Sequence, residues 1–259
     1  MVKYTLITGA TSGLGLELAR IYAAKAENLI LVARREEIMK KLAEELAERY
    51  QIRVQTFAGD LSRPETARKL VQWTREKGYE VDTLINNAGF GSYGEFHKSD
   101  LKKEWEMLQL NVMTLMYLTR AFLPGMVFRG RGGILNVASV AAFAPGPRMA
   151  DYYASKAYVL SFTQALAAEL KNTKLKISAL CPGPIQTGFQ DRAGLSESKR
   201  FSQMAQSGWS AKQVARYAYE RFQQGEVVIV PGLSNQILAV LGRKVPLKLV
   251  RRVMACAQR

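Results

Sequence analysis

Hydrophobic positions along this chain follow two patterns that take turns. Short, nearly continuous apolar runs occur at Tyr4 to Thr8, Asn28 to Ala33, Arg53 to Ala58, Val81 to Ile85, Gly133 to Ala138, Leu175 to Leu180 and Val227 to Val230. Runs of that length, bounded by turn residues, predict strands covered on both faces. Between them, apolar residues recur every three or four positions. This spacing predicts a charged amphipathic helix over Glu36 to Tyr50, a helix opening at Ser62-Arg63-Pro64-Glu65, a long helical region through Asn111, and a helix from about Asp151 to Leu170. At the second of these, Ser62 is placed to cap and Glu65 to reach back, with Pro64 tolerated in the first turn.

The alternation predicts an α/β fold of the Rossmann type, a doubly wound parallel sheet with residues 1–259 forming one domain. Ligands of such a sheet bind beyond the carboxyl ends of its strands, near the point where strand order reverses. The loops expected there are Asn86 to Gly94, Ser139 to Ala150 and the run from Pro182 to about Ser210. Residues from about 187 to 210 read as a substrate lid, and those from about 232 to 259 as a basic amphipathic C-terminal extension.

Composition narrows the setting. At 48% hydrophobic, a chain of 259 residues can bury a large core. Lys and Arg number 37 against 22 Asp and Glu, and the net charge of +15 favours anionic partners without choosing among phosphates, acidic proteins, lipid and nucleic acid. Cys181 and Cys256 lie in apolar surroundings and cannot frame a chain of this size, as expected of reduced thiols. The longest apolar stretches, such as Ile134 to Ala144, are interrupted by Asn136 and Ser139 and fall short of a membrane span. The first strand begins almost at Met1, so no secretory leader is legible and a cytoplasmic location is expected.

Candidate chemistry begins directly after the first strand, at Thr8-Gly9-Ala10-Thr11-Ser12-Gly13-Leu14-Gly15. Glycines there let the backbone approach a pyrophosphate, while the following helix aims its free N–H groups at the anion. After the second strand, where a site selective for NAD places an acidic residue, this chain has Ala33-Arg34-Arg35. Arginine suits a 2′-phosphate, and cations at a helix N-terminus otherwise oppose its dipole. NADP(H) is therefore expected over NAD(H), with Arg34 the better candidate and Arg35 beside it.

Tyr152 and Lys156 are four apart and share one helix face. Neither Tyr153 nor Tyr158 has a lysine at that spacing. A nearby ammonium, and an oxidised nicotinamide, would favour the Tyr152 phenolate and fit it to exchange a proton with a carbonyl oxygen. Ser139, ending an apolar strand, could steady the developing alkoxide.

These motifs, in this order from Thr8 to about Thr187, resemble the short-chain dehydrogenase/reductase family. The family's Asn-Asn-Ala-Gly is matched by Asn86-Asn87-Ala88-Gly89, and its Asp-Leu by Asp60-Leu61. The resemblance implies that Gly9, Thr11, Ser12, Gly13, Leu14 and Gly15 hold the cofactor with Asn87, Ala88 and Gly89, and that Asp60 lies beside the adenine with Leu61 adjoining. It further implies that Pro182, Gly183, Ile185 and Thr187 approach the nicotinamide carboxamide and that Lys156 binds the nicotinamide ribose. By resemblance the catalytic residues are Asn111, Ser139, Tyr152 and Lys156, with Asn111 holding a water that links the lysine to solvent. A satisfied buried amide is the plainer reading of Asn111.

Phe143, Met149, Phe189, Phe201, Met204 and Trp209 offer apolar surface for a bulky carbonyl or alcohol, although each could equally pack the lid. His97, the only histidine, has no companion ligands in sequence, so no metal is expected. After Glu226 no acidic residue occurs, whereas Arg243, Lys244, Lys248, Arg251, Arg252 and Arg259 are interspersed with aliphatic residues. Such an extension either packs on the core or a second subunit, or lies on anionic membrane or an acidic carrier protein. The leading expectation is a homo-oligomeric (dimeric or tetrameric) NADP(H)-dependent reductase or dehydrogenase of a small-molecule carbonyl or alcohol. Reduction of a 3-oxoacyl thioester and a non-catalytic NADP-sensing or scaffold role stand as alternatives. No motif supports specific nucleic-acid binding.

Overall fold

The computed structural model describes residues 2–185, 189, 193–194 and 208–244. Its frame is a seven-stranded, all-parallel sheet made of β1 (Lys3–Thr8), β2 (Leu29–Ala33), β3 (Val54–Ala58), β4 (Glu80–Asn86), β5 (Gly133–Val137), β6 (Lys176–Leu180) and β7 (Val228–Ile229). The spatial order is β3-β2-β1-β4-β5-β6-β7, so the direction of winding reverses between β1 and β4. Leu29 to Ala33 and Gly133 to Val137 are buried at every position, which is why they read as unbroken apolar runs.

Helices α1 (Gly13–Ala24), α2 (Glu36–Tyr50), α3 (Pro64–Glu76), α4 (Leu101–Leu108), α5 (Leu115–Arg129), α6 (Ala150–Glu169), α7 (Ala211–Gln223) and α8 (Leu233–Lys244) supply the crossovers and covers. One core joins Leu18 and Tyr22 of α1, Met39 and Leu46 of α2 and Phe222 of α7 to one face of the sheet. A second lies on the opposite face, between Leu70 of α3, Leu118 and Met126 of α5 and the strands. The doubly wound single domain expected from the apolar pattern is thus the observed architecture.

Two local expectations need correction, and a third, which the sequence leaves open, is narrowed. Ser62 does not cap α3: Arg63 is the N-cap, and Ser62 instead donates from its backbone N (3.0 Å) and Oγ (2.8 Å) to Asp60 Oδ1. The Asp60 carboxylate accepts both donors and wins the serine from the helix end. The helical region does not stop near Asn111. α4 passes into a π-helical stretch, Gln109–Thr114, and continues as α5 to Arg129 despite Pro124. Finally, α8 does not bury its aliphatic residues on the described core, since Leu233, Ile237, Leu238, Val240 and Leu241 are exposed.

A buried polar chain ties the sheet to two helices of one layer. Asn86 Nδ2 donates to Thr119 Oγ1 at 3.1 Å and to Asn136 Oδ1 at 2.9 Å, and Asn136 Nδ2 donates to Thr163 Oγ1 at 3.0 Å. It runs from α5 through β4 and β5 to α6, the helix that carries Tyr152. Buried amides with every group paired specify one register, and removing one member leaves its partners unsatisfied. Asn136→Leu is therefore expected to lower unfolding free energy by about 3 kcal/mol, measured by urea denaturation; a loss within error of zero would refute this role.

Candidate active site

The glycine turn sits where the winding reverses. Gly9 has φ +69, a conformation that disfavours side chains, and its N–H donates to Val32 O at 2.8 Å. A Cβ on Gly15 would fall 2.3 Å from Gly9 O and 2.5 Å from Asn87 Nδ2, so α1 can start this close to the sheet only without a side chain. Ser12 N-caps α1 in extended geometry without its side chain bonding to the helix. Gly13 and Leu14 open the first turn, where free N–H groups point out of the helix end. The arrangement is a cradle of the kind a pyrophosphate needs.

Thr8 locks the cradle to β4. Its Oγ1 accepts from Asn87 N (3.0 Å) and Ala88 N (2.9 Å), while Asn87 Nδ2 donates to Thr8 O at 2.8 Å. Asn87 is thereby committed to holding two strand ends together. At the far side, Arg35 Nη2 donates to Thr11 O and Thr11 Oγ1, both at 3.0 Å, bracing the turn. Arg34 is exposed and only loosely paired, its Nη1 lying 3.7 Å from Asp60 Oδ2. Burial alone would raise the Asp60 carboxyl, but the two Ser62 hydrogen bonds, with Arg34 and Arg63, outweigh it and hold the group below its usual range. Leu61 is buried, and its carbonyl accepts from Thr114 Oγ1 at 2.8 Å.

The second half of the site forms at the ends of β4 and β5. Ser139 follows β5 and starts a short turn, Val140–Phe143; its Oγ accepts from Ala141 N at 3.1 Å. α6 then presents Tyr152 and Lys156 one turn apart, both buried. Ser139 lies near enough to Tyr152 to lower its phenol. Lys156 Nζ donates to Val137 O at 2.8 Å and lies 5.8 Å from the centroid of the Tyr152 ring. Asn111, in the π-helical stretch, accepts from Phe90 N at 3.2 Å and donates to Phe90 O at 2.9 Å and Ser155 Oγ at 3.2 Å. A Cβ on Gly89 would fall 2.9 Å from Asn111 Oδ1 and 3.5 Å from Lys156 Nζ, and one on Gly91 3.4 Å from the Tyr152 ring, so these three residues converge on the β4 loop.

The side-chain geometry adds two details. Asn111 is a satisfied buried amide that fastens Phe90 and Ser155. The Lys156 ammonium is turned to a backbone carbonyl, and burial prevails at Tyr152: it pushes the phenol above its usual range, Ser139 pulls it partly back, and Tyr153 adds to the rise. Burial thus favours the protonated phenol, the form that can donate.

Around Tyr152 lie Met107, Ala141, Met149 and Ala193, with Phe90, Tyr93, Tyr153 and Phe189 against them. The Phe189 ring is 5.4 Å from that of Tyr152, and a Cβ on Gly91 would meet Phe189 at 2.9 Å. Phe143 is buried in the neighbouring cluster, and Trp209 lies edge-on to Tyr217 at 5.5 Å. Pro182 O accepts from Val140 N at 3.0 Å, Gly183 touches Asn235 of α8, and Ile185 packs on the α1-side core. Thr187, Phe201, Met204, Cys256 and most of the lid segment lie outside the described residues. His97 is exposed beside Glu95, and among the described residues no group of three His, Cys, Asp or Glu is placed to hold a metal. Thr8, Ser155 and the Phe90 backbone were missed from sequence. Thr8 and Ser155 sit inside the recognised motifs, whereas nothing local marks Phe90.

The family model for short chain dehydrogenase matches residues 3–198. Sulfoacetaldehyde reductase 2 of Chromohalobacter salexigens is 37% identical over 191 residues, covering 73% of this chain and 75% of that protein. A short-chain dehydrogenase from Sphingobium yanoikuyae in complex with NADPH is similar at 29% identity and TM-score 0.84, over 98% of this chain and 95% of that one. A short chain dehydrogenase/reductase from Burkholderia phymatum in complex with NAD is similar at 26% identity and TM-score 0.83, over 93% and 92%. With its parallel sheet, its glycine cradle at the switch point and a family match across three quarters of its length, this chain belongs to the short-chain dehydrogenase/reductase family of oxidoreductases.

Proposed function

We propose that the chain uses NADP(H) to interconvert a hydrophobic carbonyl compound and its alcohol, with Tyr152 as the proton-transferring group. The observation that carries this reading is the burial of Tyr152 in an apolar recess, with the Lys156 ammonium 5.8 Å from the centroid of its ring and Ser139 near enough to lower its phenol. A dinucleotide held in the cradle would supply or accept the hydride. Gly9, Thr11, Ser12, Gly13, Leu14 and Gly15 would hold its pyrophosphate, and Asp60, Leu61, Asn87, Ala88 and Gly89 would line its path. Lys156, Pro182, Gly183, Ile185 and Thr187 would hold its nicotinamide end.

In the reducing direction, Tyr152 donates its proton to the substrate oxygen as charge develops there, and Ser139 Oγ–H steadies the same oxygen. Burial in the recess excludes water, so each dipole counts for more than in solvent. Lys156 places a cation near the phenolate left behind. Asn111 is a positioning residue, since its three hydrogen bonds tie the Phe90 loop to α6 through Ser155. Arg34 is the group proposed to select NADP(H), because it is exposed and weakly held while Arg35 is committed to Thr11. The exposed Leu101 and Trp105 of α4 support a homo-oligomer.

Tyr152→Phe is expected to reduce turnover by roughly a thousandfold while NADPH binding, followed by fluorescence titration, stays within about twofold. Undiminished turnover across a panel of hydrophobic ketones, aldehydes and 3-oxoacyl thioesters would remove Tyr152 from the mechanism. For Arg34→Ala, loss of a charge-assisted pair predicts NADPH affinity falling by at least about tenfold more than NADH affinity. Equal losses would refute the 2′-phosphate role.

Lys156 gives a pH test with a definite sign. Burial pushes its ammonium down to about 8, Cys181 opposing slightly. The unfolded chain therefore binds the proton more tightly than the folded one. The destabilisation is fully present below about pH 8 and is relieved as pH rises toward the unfolded value. Between those limits unfolding free energy is expected to rise by up to about 3 kcal/mol relative to a Lys156→Met control. Denaturation curves with the same pH dependence in both proteins would contradict it.

A further inference from the structure

Helix α8 is amphipathic the wrong way round for a helix that only covers a core. Two of its polar side chains are spent on the protein: Asn235 Nδ2 donates to Pro231 O at 2.7 Å, and Gln236 Nε2 to Val230 O at 3.0 Å. Its close contacts are made by small residues. Ala239 is buried, and a Cβ on Gly242 would fall 2.4 Å from Phe143 O. The aliphatic residues face outward, with Leu233 78%, Ile237 60%, Val240 51%, Leu241 51% and Leu238 47% exposed. At 100° per residue they span roughly 160° of the circumference, an arc that by position also includes Ser234 and, in the last turn, Lys244. Single exposed leucines need no explanation, but a contiguous stripe of five does.

Charge indicates what covers the stripe. From Leu233 to Arg259 the sequence contains no Asp or Glu, while Arg243, Lys244, Lys248, Arg251, Arg252 and Arg259 are all cationic. A second copy of this chain would bring the same cationic sequence with no acidic residue in that stretch to answer it. An anionic bilayer surface meets both demands. It accepts aliphatic side chains at the acyl boundary without requiring matched hydrogen bonds, and each cation near anionic headgroups adds about 1 kcal/mol.

We propose that the outward face of α8 docks this protein on anionic lipid membranes, as a peripheral contact and not a span. Among the described residues no helix is long and apolar enough to cross a membrane. The contact would lie beside the apolar recess, because α8 packs on the turn after Ser139 and on Gly183. A carbonyl substrate dissolved in the bilayer would then meet the enzyme on the side where its site is formed. The docking itself does not depend on the catalytic reading.

The test is co-sedimentation of the full chain with vesicles of phosphatidylcholine, with and without phosphatidylglycerol. Binding is expected to the anionic vesicles, weakening as salt rises. Burial lost at two aliphatic positions predicts that Ile237→Glu with Leu241→Glu weakens it by more than about tenfold. The milder Leu233→Gln is expected to weaken it by a smaller factor, and it serves should the double variant fail to fold. NADPH titration and circular dichroism of both variants are expected to match the parent. No binding to anionic vesicles, or binding unchanged in the variants, would overturn the proposal. So would conversion of an oligomer to monomer by these substitutions in sedimentation velocity, which would make the face a subunit contact.

Discussion

The site rests on one close approach. At Gly15 the first turn of α1 comes so near the end of β1 and the side chain of Asn87 that a single added carbon would fall 2.3 Å from Gly9 O. That approach brings the start of α1 over the point where winding reverses, and Thr8 fixes the spacing by accepting from Asn87 and Ala88 together. The β4 end is therefore registered against β1, and everything that leaves it, Gly89, Phe90 and Gly91, inherits its position. Asn111 and Lys156 converge on Gly89, and Tyr152 and Phe189 on Gly91. Two missing side chains and one threonine hydroxyl thus couple the phosphate cradle to the recess where chemistry is proposed.

The recess balances two opposed demands. Burial keeps water out, yet it also works against both ionised forms, raising the Tyr152 phenol and pushing Lys156 down to about 8. Ser139 and the Val137 carbonyl are the counterweights. A neutral phenol beside a lysine still largely protonated at neutral pH suits delivery of a proton to a carbonyl oxygen. The Asn86–Asn136–Thr163 chain anchors α6, which carries both groups, to the sheet. The π-helical stretch at Asn111 belongs to the same economy of position: its wider turn lies where the Phe90 loop needs both amide groups of one side chain.

At the other end of the fold, α8 uses the recess loop as its seat. Gly242 lies on Phe143 and Asn235 on Gly183, so the helix borders both segments that flank the substrate side. Two of its polar residues are turned inward because carbonyls after β7 need donors, and this leaves its aliphatic residues to an external surface.

Much of the molecule was legible in the sequence. Parallel strands buried on both faces leave unbroken apolar runs, amphipathic helices leave a period of 3.6, and a pyrophosphate turn leaves glycines, so the sheet, the cradle and the spacing of Tyr152 and Lys156 could all be read locally. What local pattern could not contain was the choice among competing partners. Ser62 had a helix end and the Asp60 carboxylate within reach, and the carboxylate won. Asn111 met the Phe90 backbone, Lys156 met Val137 O, and Arg35 was taken by Thr11, leaving Arg34 exposed. The aliphatic residues of α8 looked ready to pack inward until Asn235 and Gln236 claimed that side. Each outcome depends on donors and acceptors brought together from elements far apart in sequence, and only the folded arrangement decides which pairs are close enough to form.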